Sequence, residues 1–175
     1  LFSKLIFIKL PNIGRNDHTI AFHILNNWGC LPENLVFLPG SAVMCRRKGH
    51  YLFKLIRNLP RVKHFGGFYA SRYFKTTPDF DFKRDSFTES GKCNRNGNKF
   101  INSEYSSFQS WKRALIDDNP MQYVQYRGMF AVSKENILSV DKQVYENILS
   151  SLSIGDNIEN GHYAERIWAH LFKRN

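Results

Sequence analysis

The sequence predicts an α/β fold, a mostly parallel sheet flanked by helices within a single domain spanning residues 1–175, and three observations predict it. An apolar strand-like run at Leu5 to Leu10 is followed by Ile20, Ile24 and Trp28 at helical spacing, then by a second apolar run from Asn34 to Leu38. Strand, helix and strand at such close quarters imply a right-handed βαβ unit with parallel strands. The second half adds helical stripes at Val144 to Leu152 and at His162 to Phe172, and the 175 residues are 42% hydrophobic, enough for one core.

The first strand, with Leu5, Ile6, Phe7, Ile8 and Leu10 buried, stops at Pro11 and enters a polar turn of Asn12, Gly14, Arg15, Asn16, Asp17 and His18. Ligands of open α/β sheets sit at such carboxyl ends. A helix amino terminus offers unpaired N–H groups and a positive dipole end, and Arg15 adds a cation, so the turn suits phosphate. The simpler alternative makes Asp17 an N-cap and Gly14 a turn residue. Neither the G-x-G-x-x-G nor the Walker spacing is present.

Gly29 and Pro32 break the first helix, and the second strand ends at Pro39-Gly40. Arg46-Arg47-Lys48 leads into a helix with Leu52, Leu55, Ile56 and Leu59 on one face, which Pro60 ends. The aromatic segment after Gly66-Gly67 reads as a strand. Residues 76–108 turn polar and rich in Gly and Asn, the composition of a long loop or lid. A short helix at Trp111 to Ile116, a turn at Asp117 to Pro120 and a strand at Tyr123 to Val132 follow. Ser133 caps what comes next. In the last helix Ala164, Ile167, Trp168 and Leu171 form the buried stripe.

Composition narrows the function classes. No window approaches eighteen uninterrupted apolar residues, so no membrane span is expected. Leu1 to Leu10 is a poor signal peptide, although the absence of an initial Met leaves room for an upstream anchor. Cys30, Cys45 and Cys93 lack any C-x-x-C spacing, which fits neither a disulfide framework nor structural zinc and suits a reducing, cytoplasmic setting. The net charge of +10 is uneven: twelve Lys/Arg face two acids up to Lys75, and thirteen face thirteen thereafter. Such a basic half calls for an anionic partner, be it a diphosphate, a nucleic acid or a membrane surface, unless it is only a solvated face.

Two further constellations carry chemistry. In Pro78-Asp79-Phe80-Asp81-Phe82 an extended backbone puts both carboxylates on one side and both rings on the other. Asp79 and Asp81 are then candidate ligands for Mg²⁺ or Mn²⁺ shared with a diphosphate, or the charged face of an edge strand. Near the start of the last helix, Glu165 is a candidate general base toward a hydroxyl and Arg166 a phosphate partner; an internal ion pair is the structural alternative. The six histidines match no metal motif, and no Ser or Cys nucleophile is recognisable.

Asn12-Ile13-Gly14-Arg15-Asn16-Asp17-His18, Phe37-Leu38-Pro39-Gly40, Phe130 to Ile137 and Glu165-Arg166-Ile167-Trp168 with Phe172 resemble, in order, a family of uncharacterised fungal and bacterial domains. Its hallmarks are N-x-G-R-E-x-H, F-x-Q-G, F-A-V-S-R-E-x-I and E-R-x-W-x-x-x-F, and this chain departs at Asn16 and Pro39. More distantly the arrangement looks like a compact GT-A, Rossmann-like glycosyltransferase. That resemblance implies metal-assisted transfer of a hexose from a nucleoside diphosphate sugar, foremost a UDP-sugar, to a glycan or glycoprotein acceptor. It implies that Pro11, Asn12, Arg15, Asp17 and Arg166 contact the donor, that Asp79 and Asp81 hold Mn²⁺ or Mg²⁺, and that Glu165 lies near the acceptor. The rival classes are a basic nucleic-acid-binding module with stacking aromatics, and a transferase-like fold that binds sugar without catalysis.

Overall fold

The computed structural model describes residues 6–42, 46–59, 63–70 and 97–172. In chain order the elements are α1 (Arg15–Asn26), β1 (Asn34–Phe37), α2 (Arg46–Asn58), β2 (Phe65–Ala70), α3 (Phe108–Leu115), β3 (Val124–Ser133), α4 (Lys134–Leu138), α5 (Lys142–Leu152) and α6 (Glu159–Phe172). A short 3₁₀ turn, Trp28–Cys30, follows α1. The fold is mixed α/β.

The sheet departs from the expected parallel, GT-A-like arrangement. Its order is β1-β3-β2, and both outer strands run antiparallel to β3. The reason lies at the amino terminus. Over residues 6–10 there is no strand, and Ile6, Phe7 and Ile8 stand 65%, 87% and 58% exposed. Without a strand there, the described residues hold no βαβ unit, and β1 pairs instead with the long strand from the second half. An apolar run shows that a segment is apolar but does not name its partner.

Strand β3 is the spine of the core because its side chains alternate between faces. Phe130 and Val132 join the main cluster, in which the Phe130 ring lies 6.0 Å from Trp168 and 5.8 Å from Phe172 of α6. Met129 and Ala131 face the other way, toward Ala42 and Leu55. Helix α2 therefore covers one face of the sheet and α6 the other. Helix α1 adds Ile20 and Ile24 to the main cluster, as α5 adds Tyr145, Ile148 and Leu152.

Local signals hold the helices in place. Ser107 caps α3 by accepting from the Ser110 N–H at 3.1 Å, and Asp141 caps α5 by accepting from Gln143 at 2.8 Å. Ser133 ends β3 and caps α4 through the Asn136 N–H at 3.3 Å, so strand and helix join with no loop between them. The last helix begins at Glu159, a turn earlier than its apolar stripe, with the Glu159 carboxylate accepting from the Ser103 N–H at 2.8 Å.

Candidate functional site at the α1, β3 and α6 seam

Helix α1 does not start as an Asp-capped helix. Gly14 is the N-cap, in the left-handed region at φ 59°, and its N–H donates to Gly155 O at 2.7 Å. Asp17 is instead the third helical residue. Arg15 follows Gly14 with φ 58°. Among the described residues one other non-glycine has positive φ, Arg127 at 77°. Such backbone costs on the order of 1–3 kcal/mol and concentrates at functional sites.

Arg127 owes its conformation to a bulge. Between the pairs Gly67↔Phe130 and Tyr69↔Gln125, β2 advances two residues while β3 advances five, and the excess is thrown out at Tyr126 to Met129. Gly128, at φ 58°, completes the turn. The Gln125 side chain closes it from beneath, donating to Tyr126 O at 2.9 Å and Met129 O at 3.1 Å. Two other elements hold it from outside. Glu165 Oε1 of α6 accepts from the Arg127 N–H at 2.9 Å, and Asn16 Nδ2 of α1 donates to Gly128 O at 3.2 Å. The Arg127 guanidinium then lies over the Tyr51 ring of α2, 3.7 Å from its centroid.

The seam gathers charges from opposite ends of the chain. Arg15 Nη1 donates to His162 Nε2 at 3.0 Å, so its charge meets a neutral imidazole. Burial, with Arg15 and Arg166 close by, pushes the His162 pKa down to about 3. Arg166 is buried and turns its Nη1 back to His162 O at 2.5 Å. Asp17 is buried as well and accepts from Trp168 Nε1 at 2.7 Å. Burial first, then the neighbouring Glu165 charge, raises its pKa to about 7 against the lowering influence of Trp168 and Arg15.

Of the residues singled out from sequence, Arg15, Asp17, Glu165 and Arg166 come together here. Arg15 is exposed and Glu165 half-buried, whereas Asp17 and Arg166 lie behind them and shape the field without facing solvent. Pro11 and Asn12 sit at the approach to α1, exposed, with Asn12 Nδ2 donating to Asp156 Oδ2 at 3.2 Å. Asp79 and Asp81 lie outside the described residues. So does most of the 76–108 segment, although Gly97 to Phe108 is described and packs by the Ile101↔Ile158 bridge. Among the described residues no cluster of three or more His, Cys, Asp or Glu could hold a metal.

Sequence reasoning missed Arg127, and it gave no role of their own to Asn16, named only as part of the polar turn, or to His162, named only among the histidines. The signal for the first was present: Arg127-Gly128 interrupts a strand pattern, and an isolated glycine inside a strand often marks a bulge. Away from the seam, a concavity of about 340 Å³ is lined by Asp117, Asn119, Asp141 and His170 among others. Its charged centre is internally satisfied. The fully buried Lys112 ammonium donates to Asp117 O at 2.9 Å, to Asn119 O at 2.6 Å and to the Asp117 carboxylate, which also meets His170 Nε2 at 3.2 Å.

The chain matches no protein-family model, no curated protein and no solved structure. No helix of the described residues is long and apolar enough to cross a membrane.

Proposed function

We propose that the chain is a glycosyltransferase that moves a hexose from a nucleoside diphosphate sugar to a hydroxyl of a glycan or glycoprotein. One observation carries this reading: Arg15, Asp17, Glu165 and Arg166 come together where α1, the β3 bulge and α6 meet, with the half-buried Glu165 carboxylate held by the backbone N–H of the strained Arg127. The reaction breaks the bond from the sugar C1 to the diphosphate oxygen and forms one to the acceptor oxygen. It needs positive charge where the diphosphate departs and a base where the acceptor loses its proton. Arg15, exposed and oriented by His162, supplies the first, with the buried Arg166 adding to the field. Glu165 takes the acceptor proton. Its hydrogen bond to the Arg127 N–H fixes where that carboxylate points.

A parallel sheet is not required for this chemistry. Support comes from the seam and from the sequence motifs that meet there, while the Mn²⁺ or Mg²⁺ assigned to Asp79 and Asp81, and the preference for a UDP-sugar, rest on sequence alone. The basic first half suits an anionic donor. The test is a thermal-shift panel of nucleoside diphosphate sugars with and without Mn²⁺, because a ligand that binds only the folded state raises its apparent stability. A shift with one donor, lost in Arg15→Ala, is the expected outcome. No shift with any donor at several millimolar would remove the transferase reading.

A further inference from the structure

We propose that α2 is a docking surface for an anionic lipid bilayer, a property separate from any chemistry at the seam. Helix α2 holds to the sheet through a narrow stripe, with Leu55 buried and Tyr51, Leu52 and Leu59 half-buried. Beyond that stripe His50, Phe53, Lys54, Ile56 and Arg57 face solvent, so the exposed side is not simply polar. Phe53 is 66% exposed and Ile56 is 51% exposed. At about 100° per residue these two side chains project roughly 60° apart, and Arg57 and His50 follow within a similar arc on the far side of Phe53. Lys54 extends the same basic border. His50, Lys54 and Arg57 are all exposed.

The charge of this surface is unopposed along the chain. From Asn34 to Pro78 there are nine Lys and Arg and no Asp or Glu, and all nine lie from Arg46 onward, in the helix and in the stretch of sequence that follows it. An exposed aromatic and aliphatic pair bordered by cations is the composition of a helix that lies in the bilayer interface, apolar side chains in the acyl boundary and cations among anionic headgroups. Nucleic acid satisfies only half of it. Phosphates would meet the cations and a base could stack on Phe53, but Ile56 has no π face to stack and gains nothing there. Hydrocarbon accommodates both side chains. The same chemistry recurs at the amino terminus, where Ile6, Phe7 and Ile8 are exposed beside Lys9.

The test is co-sedimentation of the full chain with vesicles of phosphatidylcholine, with and without phosphatidylserine. The protein is expected to pellet with the anionic vesicles only. Phe53→Ser combined with Ile56→Ser is expected to lower partitioning on the order of tenfold, and each of Lys54→Gln and Arg57→Gln about fivefold. Because these side chains are exposed, thermal denaturation of every variant should match wild type. Phe53→Trp gives a second readout: its added emission should move to the blue on anionic vesicles. Equal binding to neutral vesicles, no binding, a Phe53/Ile56 variant that binds as wild type, or an emission spectrum of the Phe53→Trp variant that vesicles leave unmoved would each overturn the proposal. So would binding of single-stranded RNA with the same dependence on Phe53 and Ile56, which would assign the surface to nucleic acid.

Discussion

Trp168 donates its indole N–H to the buried carboxyl of Asp17 at 2.7 Å, joining the last helix to the first across 151 positions of sequence. The same indole stacks on Phe130 of β3, so a single side chain connects the core of the sheet to the floor of the candidate site. Asp17 is thus fixed as a buried acceptor, and the Arg15 backbone two residues earlier is fixed with it.

This tether should give stability an unusual pH dependence. The Asp17 pKa rises from 3.8 to about 7 on folding, so the folded chain keeps a proton that the unfolded chain has released, and stability falls as pH rises between those values. The His162 pKa falls from 6.5 to about 3, so stability is full above 6.5 and is lost as pH drops toward 3. The two slopes oppose each other. Asp17→Asn, which can still accept from Trp168, should therefore be more stable than wild type at pH 8, by roughly 4 kcal/mol at most. Its advantage should shrink to nothing below pH 4, and His162→Gln should steepen the decline toward pH 7. Denaturant titrations across pH 3–8 check both, and an Asp17→Asn advantage independent of pH would refute the assignment.

Gly14→Ala should destabilise the chain by about 3 kcal/mol or more. An added Cβ would stand 2.4 Å from the His18 Cβ and 2.7 Å from Leu152 O, in a backbone already at φ 59°. Leu152 O belongs to the end of α5, so relief requires α1 to move away from its neighbour. A urea midpoint unchanged from wild type would contradict this packing.

Much of the helical structure was legible in the sequence because periodicity reports which face is buried. Ala164, Ile167, Trp168 and Leu171 are buried as their spacing implies, and Ser133 caps the helix after β3. Sheet order was not legible, because pairing between distant segments leaves no local trace. The run at Leu5 to Leu10 has strand-like composition, yet its Ile6, Phe7 and Ile8 lie in water, and the expectation of a strand there is what made the sheet parallel. At the site, Arg15 stood out as the cation of a polar turn at a helix start, and Glu165 as a charge beside the apolar stripe of the last helix. Arg127 did not, since its importance comes from backbone conformation and not from side-chain type.

Glu165→Gln separates the carboxylate's charge from its hydrogen bond. Gln Oε1 can still accept from the Arg127 N–H, so the bulge and the folded state should persist, and donor binding should change little. Turnover should drop by about 10² or more if Glu165 is the base. A signature independent of activity accompanies this: the Glu165 charge is one cause of the raised Asp17 pKa, so Asp17 should titrate lower in the variant. A downward-shifted Asp17 titration with wild-type turnover would leave Glu165 a positioning role only.

Lys112→Met should be among the most destabilising single changes, for a reason unrelated to the seam. Lys112 is fully buried, and its three ammonium protons meet the Asp117 carboxylate, Asp117 O and Asn119 O, organising the turn between α3 and β3. Met fills a similar volume but leaves those acceptors without their donor, and breaking a buried pair on one side costs about 3–5 kcal/mol. Partial burial alone would raise the Asp117 pKa, but the hydrogen bonds and charges of Lys112 and His170 outweigh it and hold the pKa below the usual carboxylate value. Stability from that carboxylate is present above its ordinary pKa and is lost as pH falls below it. Lys112→Met should consequently weaken this acid-side loss while lowering stability at pH 7. Asp117→Asn in the Lys112→Met background should recover part of the deficit, because a neutral amide removes the unpaired charge. Denaturant unfolding of the two single variants and the double closes the cycle. Purely additive costs would mean that the Lys112 and Asp117 side chains are not coupled as their geometry implies.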